Sequence, residues 1–149
     1  MALIGNKEYF KGIGEIKFEG KESDNPLAFK YYNPEQVVAG KKMKDWFKFS
    51  IAYWHTFCGQ GSDPFGPGTQ NFAWDQHSDA LEAAKAKADA AFEFTTKMGF
   101  GYYCFHDFDL IREGATFAES ESRIAAITEV LKEKQAASGV KLLWGTANC

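Results

Sequence analysis

Two kinds of hydrophobic spacing alternate along the second half of the chain. From residue 79 to 98 apolar positions recur at helical intervals, at Leu81, Ala84, Ala88, Phe92 and Thr95 or Met98. Ser78 is placed to cap that helix, Asp79 and Glu82 suit the positive end of its dipole, and Gly99 is placed to close it. A second helix opens at Thr116-Phe117-Ala118-Glu119, the spacing of a capping box, carries Ile124, Ile127 and Leu131, and ends at Ser138-Gly139. Runs rich in aromatic and β-branched residues predict strands at Trp46 to Trp54, Tyr102 to His106 and Val140 to Trp144. Between Cys58 and Gln76 the stretch CGQGSDPFGPGTQNFAWDQ reads as a loop, with Phe65, Phe72 and Trp74 arguing that it is ordered. Nearer the start, Asn33-Pro34 predicts an N-cap and first-turn proline for a short helix through Val37 and Val38, closing at Gly40.

The resulting order is strand, loop, helix, strand, helix, strand, which implies an α/β fold with a parallel sheet and right-handed crossovers. Nearly continuous apolar strands suit a sheet covered on both faces or the wall of a barrel. A complete (β/α)8 barrel takes about 250 residues. At 149 residues this sequence stops at the carboxyl end of its third predicted strand, and it reads as truncated.

Composition narrows the function classes. A formal net charge of −3 gives no electrostatic case for nucleic acid or for an anionic membrane. Three cysteines, Cys58, Cys104 and Cys149, are an odd number without paired spacing, which argues against a disulfide framework and for a reducing compartment. The first residues, MALIGNKEYFKGIG, lack the apolar core of a signal peptide, and no stretch reaches the length of a membrane span. The expectation is a soluble, cytoplasmic protein.

The chemistry concentrates in YYCFHDFDL, Tyr102 to Leu110, where a hydrophobic strand ends in His106, Asp107 and Asp109. Buried charge is costly unless paired, so the cluster is either a satisfied structural network or a site. As a site, it offers an imidazole whose tautomer is fixed by Asp109 or Asp107, or a metal pair of His106 and Asp109. In parallel α/β folds ligands meet the carboxyl ends of strands, and Trp54, His106 with Asp109, and Thr146 all fall at or just beyond such ends. The plainer reading makes Trp54 a core residue, Phe65 an anchor folding its loop back, Thr146 an ordinary hydroxyl and Cys104 a small buried apolar group. His55 and His77 belong to no constellation.

YYCFHDFDL, together with FKYYNPEQVVAGKKMKDW, YWHTFCGQGSDPFG and VKLLWGTANC, resembles the D-xylose isomerases, in particular those with the longer N-terminus. The resemblance runs in order along essentially the whole chain. It implies the N-terminal segment of a (β/α)8 TIM barrel, with about three of eight strands: residues 1–46 as an extension before the barrel, and 47–149 as its first three strands and two helices. It implies an aldose–ketose isomerase, D-xylose to D-xylulose and D-glucose to D-fructose, working by a metal-assisted hydride shift. By the same resemblance His106 bonds the sugar ring oxygen and assists ring opening, and Asp109 holds the other imidazole nitrogen. Trp54 walls the reacting carbons, Thr146 contacts the sugar, and Phe65 reaches into a neighbouring subunit's site. Two divalent cations, magnesium, manganese or cobalt, serve the full-length enzyme on ligands expected downstream, with none in this chain. The full-length enzyme is expected as a homotetramer, and the 149-residue chain alone as inactive. A related metal-dependent sugar isomerase on the same barrel, and a non-catalytic partial barrel that needs a partner, stay open beside this reading.

Overall fold

The computed structural model describes residues 4–147. Its centre is a three-stranded parallel sheet, β3 (Ser50–Ala52), β4 (Tyr102–His106) and β5 (Lys141–Thr146), in the spatial order β3-β4-β5. Two long helices connect the strands, α3 (Ala80–Lys97) and α5 (Phe117–Ser138), as the alternation predicts. They pack against each other and share one core with the sheet. Tyr103 of β4 lies with its ring 5.1 Å from Phe92 of α3, and Ile127 and Leu131 of α5 are buried in the same core. The sheet is open at both edges among the described residues, and it does not close into a barrel.

Period-two alternation gives the sheet two unlike faces. Ile51 and Tyr103 turn to the helices and are buried. Cys104, His106, Trp144 and Thr146 belong to the opposite face, because Cys104 pairs with Trp144 and His106 with Thr146. That register depends on an irregularity between Tyr103 and Cys104, which leaves Leu143 as the extra residue. It places Thr146 directly beside His106.

The helix ends refine the expectations. The cap of α3 is Asp79 rather than Ser78: its carboxylate accepts from Glu82 N at 2.9 Å, where a negative group suits the dipole. At α5, Thr116 caps as expected, with its hydroxyl accepting from Glu119 N at 3.2 Å. The return bond of the box lands one residue earlier, with Glu119 accepting from Ala115 N at 2.7 Å. Gly99 and Gly139 close the two helices where the sequence places them.

Two expectations about the first half are corrected. The predicted helix through Val37 and Val38 is a β-hairpin, β1 (Val37–Val38) against β2 (Lys41–Lys42). The two β-branched residues favour extended backbone, and Ala39 and Gly40, at φ of 49° and 80°, form the two-residue turn with positive φ that hairpins prefer. Pro34 instead sits in a turn that Asn33 holds by accepting from Glu35 N at 3.0 Å. The predicted strand from Trp46 to Trp54 shrinks to Ser50–Ala52. Its only partner among the described residues, β4, begins at Tyr102 opposite Ser50, so earlier residues have no described strand to pair with. Trp46 closes a helical turn, α1 (Met43–Trp46), and Trp54 lies in another, α2 (Tyr53–Thr56). The third strand is displaced the other way, running to Thr146 instead of Trp144.

The N-terminal segment crosses α3 and is held there by charge. Glu93 accepts from Tyr9 N at 2.7 Å, Phe10 N at 3.0 Å and Lys97 Nζ at 2.7 Å. Lys97 also donates to the Phe10 carbonyl at 2.7 Å and to Glu8 at 3.0 Å. One turn earlier Asp89 pairs with Lys134 of α5 and accepts from Asn6 N at 3.1 Å. Asp89, Glu93, Lys97 and Lys134 are all buried. Burial raises the Glu93 carboxyl, but the bonds from Lys97, Tyr9 and Phe10 outweigh it and hold the group below its ordinary range. Gly5 passes so close to Asp89 that a methyl group there would collide with the carboxylate.

Candidate functional site

The carboxyl ends of the strands gather the residues singled out in the sequence. His106 is the last residue of β4, and the chain turns at once into a single helical turn, α4 (Asp107–Leu110). That turn brings Asp109 back under the histidine. Its Oδ2 accepts from His106 N at 2.7 Å and lies 3.0 Å from His106 Nδ1. Nδ1 is the ring nitrogen turned to the carboxylate, and Nε2 is the nitrogen left to meet a ligand. Asp109 is nearly buried, while the His106 side chain keeps 31% of its exposure. Asp107 turns to its own backbone and accepts from Phe108 N at 2.9 Å.

Two tryptophan rings pack beside the imidazole, in contact with each other. Trp54, on α2 just past the end of β3, lies 4.5 Å from the His106 ring between centroids. Trp144 of β5 lies 5.9 Å from the same ring, edge to face, and 5.5 Å from Trp54. Trp54 is not among the buried core residues, and its ring neighbours are His55, His106 and Trp144. Thr146 is the register partner of His106. The arrangement can present a polar imidazole edge beside one apolar wall at the carboxyl end of the sheet.

Phe65 stands apart. It sits at the tip of the turn Asp63-Pro64-Phe65-Gly66, where Asp63 accepts from Phe65 N at 2.8 Å and pairs with Gly66 through two backbone bonds of 3.2 Å. Its side chain is 97% exposed, so it does not fold its loop back. Phe72 and Trp74 do that work further along: their rings stack at 4.6 Å, and Trp74 Nε1 donates to the Phe57 carbonyl at 2.9 Å.

Beneath α4 lie two residues the sequence reading left out of the site. Lys87 of α3 donates to the Asp109 carbonyl at 2.9 Å, and Cys58, after α2, donates to the same oxygen at 3.6 Å. Burial pushes the Cys58 thiol up, with Lys87 pulling the other way, so it stays a protonated donor. Trp144 was also missed, although its two-residue spacing from Thr146 puts both on one strand face. Cys104 is buried, as the sequence suggests. Among the described residues no group of three or more His, Cys, Asp or Glu could hold a metal ion. His106 and Asp109 stand together as a pair, short of the three or more ligands a metal centre takes from the protein. No helix of the described residues is long and apolar enough to cross a membrane.

Known proteins match this chain closely. Xylose isomerase of Phocaeicola vulgatus is 58% identical over 145 residues, covering 97% of this chain and 33% of its own length. The chain is homologous to the xylose isomerases. The xylose isomerase of Bacteroides thetaiotaomicron is 57% identical over 145 residues, with the same coverage. Xylose isomerase 1 of Xanthomonas campestris pv. campestris is 57% identical over 146, covering 98% of the chain. The chain spans about a third of the length of the curated xylose isomerases it matches. No protein-family model matches it.

Proposed function

We propose that the protein carrying this chain is an aldose–ketose isomerase that interconverts D-xylose and D-xylulose, and also D-glucose and D-fructose. The observation that supports it most is the His106–Asp109 couple at the end of β4, walled by Trp54. In this reading His106 faces the ring oxygen of the cyclic aldose: Nε2 takes the proton of the anomeric hydroxyl and returns it to the ring oxygen as the bond between C1 and that oxygen breaks. Asp109 keeps the proton on Nδ1 and fixes the ring plane. Trp54 and Trp144 exclude water from the carbons between which hydrogen is shifted, which favours direct transfer over exchange. Thr146 contacts a sugar hydroxyl from the neighbouring strand end.

Residues 1–46 are read as an extension outside the barrel and 47–149 as the first three strands and two helices of a (β/α)8 barrel. The hairpin β1–β2 and helix α1, which take no part in the parallel sheet, are in keeping with that division. The exposed Phe65 at its turn tip suits a side chain that enters a neighbouring subunit of a homotetramer. The full-length enzyme is taken to be cytoplasmic and to use two divalent cations, magnesium, manganese or cobalt. Their ligands are not in the described cluster, so the 149-residue chain by itself should leave xylose unchanged.

The test is isomerisation of D-xylose by the full-length gene product with a magnesium salt. D-Xylulose should form, and His106→Asn should lower kcat/KM by roughly a hundredfold or more. A full-length product that leaves xylose untouched, or one indifferent to His106→Asn, ends this reading.

A further inference from the structure

The orientation of Asp109 rests on α4, and one helical turn is too short to hold its own shape. The chain leaves it at Ile111 in extended conformation, so no following turn takes up the carbonyls at its end. The carbonyl of Asp109 is instead bound from outside, by Lys87 Nζ at 2.9 Å and by Cys58 Sγ at 3.6 Å. Lys87 Nζ lies 3.6 Å from Cys58 Sγ as well. One oxygen therefore joins three elements: α3 through Lys87, α4 through Asp109 itself, and the segment after α2 through Cys58. The first of these is a long packed helix, and the last follows directly from the turn that carries Trp54.

The chemistry of the contact suits a positioning role. A cation at the carbonyl end of a helical turn is favourable, and the charged bond is the stronger of the two that reach this oxygen. The thiol contact is weak and long by comparison. Lys87 on α3 is thus the stronger polar tie between the helix layer and this turn, beside the burial of Leu110 and Ile111 in the core.

We propose that Lys87 is a positioning residue for the His106–Asp109 couple: by binding the Asp109 carbonyl it holds α4 where the carboxylate meets His106 Nδ1. The kinetic side of this proposal rests on the isomerase reading; the structural side does not.

The ring nitrogens of His106 give a direct readout in the full-length protein with ¹⁵N-labelled histidine, assigned by their loss in His106→Asn. Wild type should show the tautomer with Nδ1 protonated. Lys87→Met should mix the tautomers, so that the shift difference between the two nitrogens shrinks, whereas Lys87→Arg, which still donates, should keep it. In parallel kcat for xylose should fall about tenfold in Lys87→Met with KM nearly unchanged. An unchanged nitrogen pattern in Lys87→Met, with Asp109→Asn altering it, overturns the proposal. Should Lys87→Met fail to fold, Lys87→Gln is read in the same way. Failure of both, with Lys87→Arg folded, assigns the lysine to structure alone and also overturns it. A wild-type protein without activity on xylose sinks the isomerase reading, while the nitrogen spectrum still decides for Lys87.

Discussion

On one side of α3, Glu93 and Lys97 meet at 2.7 Å and bind the backbone of Tyr9 and Phe10. At the end of β4, His106 and Asp109 meet at 3.0 Å and bind the backbone of His106. Both clusters pair opposite or potentially opposite charges three or four residues apart, and both are largely withdrawn from solvent. They differ in what is left over. The clamp on α3 turns its bonding groups inward on its own chain, so it fastens the N-terminal segment and offers nothing further. The strand-end pair commits one imidazole nitrogen and leaves the other, on a ring that packs beside two tryptophans, without a bond among the described residues. A buried polar network is structural when its bonding capacity is closed, and becomes a candidate site when one directed valence stays open beside an apolar wall.

The largest expected effect breaks the clamp. Glu93→Ala leaves Lys97 buried without its main partner and should cost about 3 kcal/mol in urea unfolding, with the His106 nitrogen signals unmoved. A smaller loss, or a changed His106 spectrum, would mean that the two clusters are not separable. Asp109→Asn inverts the pattern: stability should fall by only about 1 kcal/mol. Activity of the full-length protein on xylose, by contrast, should drop roughly a hundredfold. Gly5→Ala forces a methyl group against Asp89 and should cost about 2 kcal/mol in the same unfolding assay.

Acid sharpens the contrast further. Glu93 is held below its ordinary value near 4.5, so its contribution is complete above that pH and is lost as pH falls through the lower, folded-state value. Urea midpoints of wild type and Glu93→Gln should therefore converge below about pH 4.5 and stay apart above it. A gap that persists into acid would place the stabilisation elsewhere. The smallest effect concerns Tyr53, whose buried hydroxyl finds no hydrogen-bond partner among the described residues. Tyr53→Phe should be neutral or more stable by up to about 1 kcal/mol, whereas a marked loss would reveal a partner.

What the sequence discloses follows the range of the interactions. The long helices and β4 are legible because their spacing and stops are local: Thr116, Gly99 and Gly139 act within a turn of themselves. The hairpin at Val37 to Lys42 is not legible, because Asn33-Pro34 mimics a helix start while the deciding feature is the positive φ of Ala39 and Gly40. The short length of the strand at Ser50 is not legible either, because it is set by β4, some fifty positions away. The site shows the same division. His106 and Asp109 are legible as neighbours one helical turn apart, and Trp54 and Thr146 as strand-end residues. Lys87 carries no local sign, because its role depends on where α3 passes beneath α4. The buried stripe of Asp89, Glu93 and Lys97 is equally silent, since residues more than eighty positions earlier are what cover it.

The most direct test of the difference between the two clusters is turnover of D-xylose by the full-length protein, comparing wild type, Asp109→Asn and Glu93→Gln at equal concentrations of folded protein. Conversion to D-xylulose by wild type and Glu93→Gln at similar rates, with Asp109→Asn reduced roughly a hundredfold, is the predicted result. Equal rates for wild type and Asp109→Asn would contradict it, because the open valence at the end of β4 would then have no part in the reaction.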